Sequence, residues 1–229
     1  VYNSDLHAMT VPDMVIFTPK RWLGYAESLA ALHRNSSDNL DVAVVAAEDV
    51  YNEFASGAPD FNAFRRMLKM LWDRGGGSAA TPSKLKYALM LGRGHHDHRR
   101  ITASAQAAGY PILPQWQSVD GSSDNTSYTT EDYLAFLLDG SGVNPGSDYH
   151  CIAVGRIPVT SDMEARMAVD KISTYINGDN DESDWKINMV MTADDGDNGE
   201  HAEQMERIYN QLMSTDDGGR EMLYHKVYV

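Results

Sequence analysis

Apolar runs and amphipathic segments alternate along the first half of the chain, and this alternation predicts strands and helices in turn. Three short apolar runs, typical of buried strands, lie at 13–19, 40–50 and 85–94. Residues 21–35 and 60–77 between them carry apolar positions at helical spacing, and Asp60 is the predicted N-cap of the second helix. Strands and helices in this order indicate a parallel sheet with crossover helices.

The same alternation resumes after residues 104–130, an irregular stretch that is rich in Pro, Gly, Ser and Asn. Ser161 or Asp162 is the predicted cap of the first helix beyond this stretch. The predicted strands of the second half lie at 150–159, 184–195 and 221–229, and the predicted helices at 162–177 and 199–213.

These patterns predict an α/β fold with two adjacent subdomains, each a mainly parallel sheet with crossover helices. The irregular stretch marks the connection, because loops of that length are commonly functional or lie between domains. We expect a first subdomain at 1–110, a connecting loop region at 111–140 and the first part of a second subdomain at 141–229.

The charge of the chain excludes two classes of partner. A formal net charge of −14 makes the dominant electrostatic interaction with nucleic acid or an anionic membrane surface repulsive. No apolar run approaches the roughly 18 residues that a membrane-spanning helix requires. We therefore expect neither nucleic-acid binding nor a transmembrane segment in this chain.

The one cysteine, Cys151, directly follows His150, and this pairing raises the question of a cysteine nucleophile. A reactive thiol needs a nearby cation or a helix N-terminus, together with exposure to solvent. Neighbouring residues of a strand point to opposite faces, so His150 cannot easily serve as the base for Cys151. We expect Cys151 to be a buried small apolar residue that resists iodoacetamide in the folded protein.

Several motifs, in one order along the chain, resemble the gingipain-type cysteine peptidases of family C25. They are EDVYNEFASG at 48–57, LKYALMLGRG at 85–94, VGRIPV at 154–159 and ADDGDNGEH at 193–201. Within that family the set is most similar to the sortase branch of the type IX secretion system, over about residues 12–229. The resemblance implies two adjacent caspase-like α/β subdomains.

The resemblance also implies a catalytic histidine in a Gly-His-Gly motif, with a catalytic cysteine further along, both after a strand that corresponds to 223–229. No Gly-His-Gly occurs in this chain and no cysteine follows Cys151. We therefore expect the catalytic pair beyond Val229, in the remainder of the peptidase domain, and we expect this chain by itself to be inactive.

The function implied by the resemblance is that of an exported cysteine endopeptidase, secreted or held at the cell surface or outer membrane. Its substrate would be a protein or peptide, and it would process secreted or surface proteins. The alternative is a catalytically inactive, peptidase-like domain that binds peptides or secreted proteins.

The ADDGDNGEH segment contains the candidate site, because it follows a predicted strand at the edge where open α/β sheets place ligands. By resemblance, Asp194 orients the catalytic histidine as the third member of a triad does, with Asp195 as the alternative. His201 falls near the position where gingipains that cleave after Arg or Lys carry an acidic residue, so the resemblance implies a substrate-binding role there. Glu200 and Glu203 are neighbouring alternatives, and a solvated acidic turn remains the non-functional interpretation.

Two clusters have side chains that suit metal ions. Asp194, Asp195 and Asp197, with Asn198 and Glu200, offer oxygens to calcium, although their spacing is not that of an EF-hand. The histidines of GRGHHDHRR at 92–100 suit zinc or nickel, although adjacent residues rarely converge on one ion; these histidines are His95, His96 and His98. The implied function requires no cofactor.

Trp116 and the acidic segment 129–133 lie in or near the predicted connecting loop. They could line a substrate groove, and packing of the loop between subdomains is the alternative.

Overall fold

The computed structural model describes residues 3–37, 39–118, 126–143, 146–178, 184–215 and 221–229. The internal contacts divide the chain into a larger unit, Val1–Gly178, and a smaller unit, Asp179–Val229. Among the helices that the structure describes, none is long and apolar enough to cross a bilayer.

The larger unit alternates strands and helices. In chain order these are β1 (Met14–Thr18), α1 (Leu23–Asn35), β2 (Val42–Ala46), α2 (Ala47–Phe54), α3 (Phe61–Arg74), β3 (Tyr87–Leu91), α4 (Ala103–Gln106), β4 (Trp116–Gln117), β5 (Thr129–Thr130), β6 (Ala153–Ile157) and α5 (Asp162–Asn177). Short 3₁₀ helices lie at Leu6–Ala8, Lys20–Trp22 and Asp132–Ala135. Four strands form one parallel sheet in the order β2-β1-β3-β6, which confirms the mainly parallel α/β fold.

Strand β1 is buried along its whole length because helices cover both faces of the sheet. Val15 and Phe17 pack into a core with α2 and α3, whereas Met14 and Ile16 pack into a second core with α1 and α5. The alternation follows from the two-residue period of a strand. A continuous apolar run is what a parallel strand covered on both faces requires.

The helix caps follow the predicted chemistry. The Asp60 carboxylate accepts a hydrogen bond from the backbone N–H of Asn62 at 2.9 Å and caps α3. At the start of α5, Ser161 Oγ accepts from the N–H of Glu164 at 3.2 Å, so Ser161 is the cap. Asp162 instead receives a 2.9 Å hydrogen bond from the indole N–H of Trp22, which ties α5 to the start of α1.

Strand β6 belongs to the first sheet, although the sequence pattern grouped it with the residues of a second subdomain at 141–229. It pairs with β3 from Tyr87–Ala153 to Leu91–Ile157. Part of the predicted connecting region also contributes to the core of the larger unit, because Leu113, Leu134 and Leu137 are fully buried there. The contact division at Gly178 differs from the predicted connection at 111–140 for this reason.

The smaller unit contains β7 (Asn188–Ala193), α6 (Gly196–Ser214) and β8 (Leu223–Tyr228), with a 3₁₀ helix at Asp184–Ile187. β7 and β8 are parallel, and their register runs from Asn188–Leu223 to Ala193–Tyr228. The helix packs on β7 and contacts β8 through Tyr209 and Tyr224, whose rings meet edge to face at 5.1 Å. The predicted strand, helix and strand of this segment are all present.

Candidate functional site

Asp194 lies directly after the last residue of β7, at the carboxyl end of the strand pair in the smaller unit. The neighbouring strand reaches the same edge, because the N–H of Val229 donates to the carbonyl of Ala193 at 3.0 Å. Parallel strands present their carboxyl ends together, which is where open α/β sheets place ligands. The structure therefore puts Asp194 at the edge that the sequence predicts for a functional residue.

Asp194 and His201 form a close ion pair, with 2.6 Å between Asp194 Oδ1 and His201 Nδ1. This hydrogen bond raises the pKa of His201 above its ordinary value and lowers the pKa of Asp194, and the charge of each partner adds to both shifts. Both side chains are about half exposed, with 47% of His201 and 65% of Asp194 accessible. The pair favours an imidazolium that donates its Nδ1–H to the carboxylate.

A left-handed turn inside α6 brings the two residues together. Asp197, Asn198 and Gly199 have φ angles of 53°, 58° and 78°, and the regular helix continues after them. Asn, Asp and Gly are the residue types that adopt this conformation at the lowest cost. The turn also places Asp197 Oδ2 at 3.7 Å from His201 Nε2, so the imidazole lies between two carboxylates.

The ion pair borders a cavity of about 560 Å³ within the smaller unit. Polar groups from Asp194, His201 and Gln204 line one part of it. Apolar side chains supply the rest of the wall, including Met205, Val227 and Val229. Apolar pockets with a few convergent polar groups are typical of small-ligand and side-chain binding sites.

Asp195 and Glu200, two further predicted residues of this segment, do not belong to the pair of Asp194 and His201. Asp195 occupies the N-cap position of α6 but makes no capping hydrogen bond with its side chain among the described residues. Glu200 accepts a hydrogen bond from Gln204 Nε2 at 3.1 Å, one turn further along the helix.

No metal site is formed by the described residues, in the sense of three or more His, Cys, Asp or Glu side chains grouped around one point. The rings of His95 and His96 stack at 4.5 Å, and His95 Nδ1 already accepts from the N–H of Asp97 at 3.0 Å. The Asp97 carboxylate accepts two hydrogen bonds from Thr102, and these lower the pKa of Asp97 to about 2.

Cys151 lies two residues before β6. Its side chain is half-buried, whereas the sequence predicts a buried residue. Its Sγ lies 3.8 Å from the carbonyl oxygen of Tyr149, and its N–H donates to the carbonyl of Ala135 at 2.8 Å. His150 contacts other groups, since its Nε2 lies 3.8 Å from Asp132 Oδ1 and its ring packs on Phe136.

Trp116 packs against the core of the larger unit and stacks on Tyr133 at 5.8 Å. Trp116 therefore packs within the larger unit.

Sequence reasoning missed the direct pairing of Asp194 with His201. The signal was present as an Asp-Asn-Gly turn between an aspartate and a histidine seven positions later. Residues of that turn favour positive φ, which reverses the chain and returns the helix start to the strand end.

The sequence profile of peptidase family C25 matches residues 7–229, which is nearly the whole chain. The chain therefore belongs to peptidase family C25. Among solved structures, the crystal structure of dimeric latent PorU from Porphyromonas gingivalis is similar, with a TM-score of 0.68 and 36% identity. That similarity covers 76% of this chain and 16% of the PorU chain, so the chain spans about a sixth of that relative. No curated protein gives a significant match.

Proposed function

We propose that this chain is the N-terminal part of the catalytic domain of a gingipain-like cysteine endopeptidase that acts in type IX secretion on secreted or surface proteins. Its place would be outside the cell, at the cell surface or outer membrane or in secreted form. The observation that carries the proposal is an aspartate, Asp194, held against an imidazole at the carboxyl end of β7 in a member of family C25.

In the proposed mechanism, Asp194 orients the catalytic histidine that the family carries further along the sequence. A carboxylate that accepts from Nδ1–H fixes the imidazole tautomer and directs Nε2 at the cysteine thiol. The resulting thiolate attacks the peptide carbonyl, and backbone N–H groups stabilise the oxyanion. Asp194 has a second oxygen for this purpose, because His201 contacts Oδ1.

His201 is the proposed substrate-binding residue, together with the start of α6 at Glu200. The imidazole held by Asp194 lies beside the 560 Å³ cavity, between the carboxylates of Asp194 and Asp197. His201, at the position where Arg- or Lys-specific gingipains carry an acidic residue, offers an arginine or lysine side chain of a substrate no counter-charge, whereas an apolar or hydrogen-bonding side chain fits the wall. We therefore propose that cleavage after Arg or Lys is not the specificity of this enzyme.

A calcium ion at Asp194, Asp195 and Asp197 remains a prediction from the sequence, and the proposed thiol chemistry does not need it. Its test is a calcium titration of the purified chain, with Asp195→Asn as the variant. Saturable binding that this variant abolishes would support the ion.

The reading frame beyond codon 229 provides the test of the proposed function. We expect a Gly-His-Gly motif after an apolar strand and a cysteine after a later strand. The protein extended through that cysteine should then cleave peptides, and iodoacetamide should abolish the activity. The same strands without His and Cys, or an extended protein with both residues and no activity, would refute the proposal and favour a peptide-binding domain.

A further inference from the structure

A second cavity, of about 480 Å³, lies in the larger unit. Tyr51 lines it from α2, which starts directly after β2, and His98 and Arg99 line it from the segment that follows β3. β2 and β3 both flank β1 in a parallel sheet, so these residues come from the carboxyl ends of the strands. Open α/β sheets commonly bind ligands at this edge.

Two buried polar atoms on the residues of this cavity have no hydrogen-bond partner among the described residues. They are the hydroxyl of Tyr51 and Nδ1 of His98. Tyr51 is only 8% exposed, and its ring packs edge to face on Phe64 at 5.4 Å. Burial without a partner is unfavourable for such groups, and a ligand at the cavity that accepts hydrogen bonds would relieve it.

The tyrosine hydroxyl is a donor, because burial raises the pKa of Tyr51 and keeps it protonated. The negative charges of Glu48 and Asp60 also raise the pKa of Tyr51. Neither carboxylate accepts a hydrogen bond from the Tyr51 hydroxyl, because each has other partners. Glu48 accepts from the N–H of Lys20, and Asp60 caps α3.

The segment that follows β3 is locally basic in an acidic protein. Residues 93–100 contain three arginines and three histidines against one aspartate, whereas the whole chain has a net charge of −14. The guanidinium of Arg100 is committed to the backbone, with hydrogen bonds to the carbonyls of Ala108 and Tyr110 at 3.0 and 2.7 Å. Arg99 is exposed and makes no hydrogen bond or ion pair with any residue that the structure describes.

The remaining wall of the cavity is apolar and comes from Ala58, Pro59 and Ile112. The cavity therefore combines hydrogen-bond donors and a free cation with an apolar surface. A ligand that matches both parts has an anionic head and a compact apolar body.

We propose that this cavity binds the carboxylate of a small ligand that also carries an apolar group, with Tyr51, His98 and Arg99 as the anion-binding side chains. The ligand is a free acid or the C-terminal residue of a peptide, since both present the same group. The site is independent of the proposed peptidase chemistry, because the purified 229-residue chain contains all of its residues.

Titration of the purified chain with N-acetyl-L-valine and with N-acetyl-L-valinamide, followed by amide NMR, tests the proposal. We expect the acid to bind at least tenfold more tightly than the neutral amide, and more tightly than inorganic phosphate, which lacks the apolar body. A tripeptide that ends in a free valine binds only if a peptide terminus fits, and this distinguishes the two sources. Equal affinity for acid and amide, or no binding at millimolar concentration, would overturn the proposal.

Two variants and a control locate the site. Tyr51→Phe and Arg99→Ala should each weaken binding of the acid at least tenfold, whereas Arg93→Ala, in the same segment but not at the cavity, should leave it unchanged. Tyr51→Phe should not lower the thermal midpoint of unfolding, because the Tyr51 hydroxyl has no hydrogen-bond partner among the residues that the structure describes. A lower midpoint, or equal effects of Arg93→Ala and Arg99→Ala, would contradict the assignment.

Discussion

Arg156 and Glu131 form a bidentate ion pair, with Nε–Oε1 and Nη2–Oε2 distances of 2.6 and 3.0 Å. Only 7% of the arginine side chain and 14% of the glutamate side chain are exposed. The other guanidinium N–H groups donate to the carbonyls of Gly92, Leu113 and Pro114, so every donor is used. Arg156, from the VGRIPV motif, thereby joins β6 to the end of β3 and to the segment that follows it.

Removal of one partner of this ion pair should therefore lower the free energy of unfolding considerably. Glu131→Gln leaves a buried guanidinium without its counter-charge, and such changes destabilise proteins by about 3–5 kcal/mol. Urea unfolding of the variant and the wild type measures the difference. Arg166→Ala is the control, because its pair with Asp170 is exposed (76% and 67%) and is worth less than about 0.5 kcal/mol. A loss no larger than that of the control would contradict the structural role of Arg156.

The pair of Asp194 and His201 should be visible in the titration of the histidine. Asp194 raises the pKa of His201 through its hydrogen bond and charge, so Asp194→Asn should move this pKa back toward its ordinary value near 6.5. NMR titration of the imidazole carbons measures the shift. Asp195→Asn serves as the control and should have little effect, and a larger effect of Asp195→Asn would contradict the observed pairing.

The same pair should stabilise the protein over a limited pH window. The lowered pKa of Asp194 contributes stability above about 3.8, and this contribution is lost as the pH falls through the lowered value. The raised pKa of His201 contributes stability below about 6.5, and this is lost as the pH rises through the raised value. The difference in thermal midpoint between wild type and Asp194→Asn should therefore be largest between these two pH values. A difference that is constant with pH would contradict the ion pair.

Two glycines that both have open space at the Cβ position differ in backbone conformation, so their replacement by alanine should have opposite effects on stability. A Cβ at Gly199 meets open space, but its φ of 78° strains any other L-residue, so Gly199→Ala should destabilise by about 1 kcal/mol. Gly24 also has open space and lies in helix α1, where alanine is preferred, so Gly24→Ala should stabilise by about 0.5 kcal/mol. Chemical unfolding measures both. A Gly199→Ala variant at least as stable as the wild type would show that the turn does not require glycine.

The histidine cluster should not bind zinc tightly. No three His, Cys, Asp or Glu side chains of the described residues are grouped so as to hold an ion, and His95 Nδ1 is already a hydrogen-bond acceptor. Isothermal titration should show no saturable binding at micromolar zinc, with His96→Ala behaving like the wild type. Saturable zinc binding that His96→Ala abolishes would contradict this expectation and support a metal site at the histidine cluster.

Most of the fold follows from hydrophobic spacing. The predicted helix at 162–177 coincides with α5, and the apolar run at 13–19 contains β1, because buried faces impose strict periods on both elements. The pattern at 40–50 predicts one strand, whereas in the structure β2 ends at Ala46 and the chain continues as helix α2. Apolar residues buried in a helix or in a strand look alike over so few positions.

Tertiary partners were harder to predict than local elements. Nothing in the sequence near β6 indicates its pairing with β3, because strand order depends on contacts between distant residues. The same holds for Arg156, whose five donors find partners only once the chain is folded. The candidate position of Asp194 could be predicted, since it needs only a strand end and an acidic residue, whereas its pairing with His201 depends on the turn geometry.

The central claim is tested most directly by the turnover number of a longer protein that includes the histidine and cysteine of family C25. This turnover number is compared between the wild type and Asp194→Asn. Loss of the orienting carboxylate should lower kcat on the order of 10²–10⁴-fold while the fold stays close to wild type. Asp195→Asn is the matched control and should retain activity. Unchanged kcat in Asp194→Asn, or a larger loss in Asp195→Asn, would contradict the role proposed for Asp194.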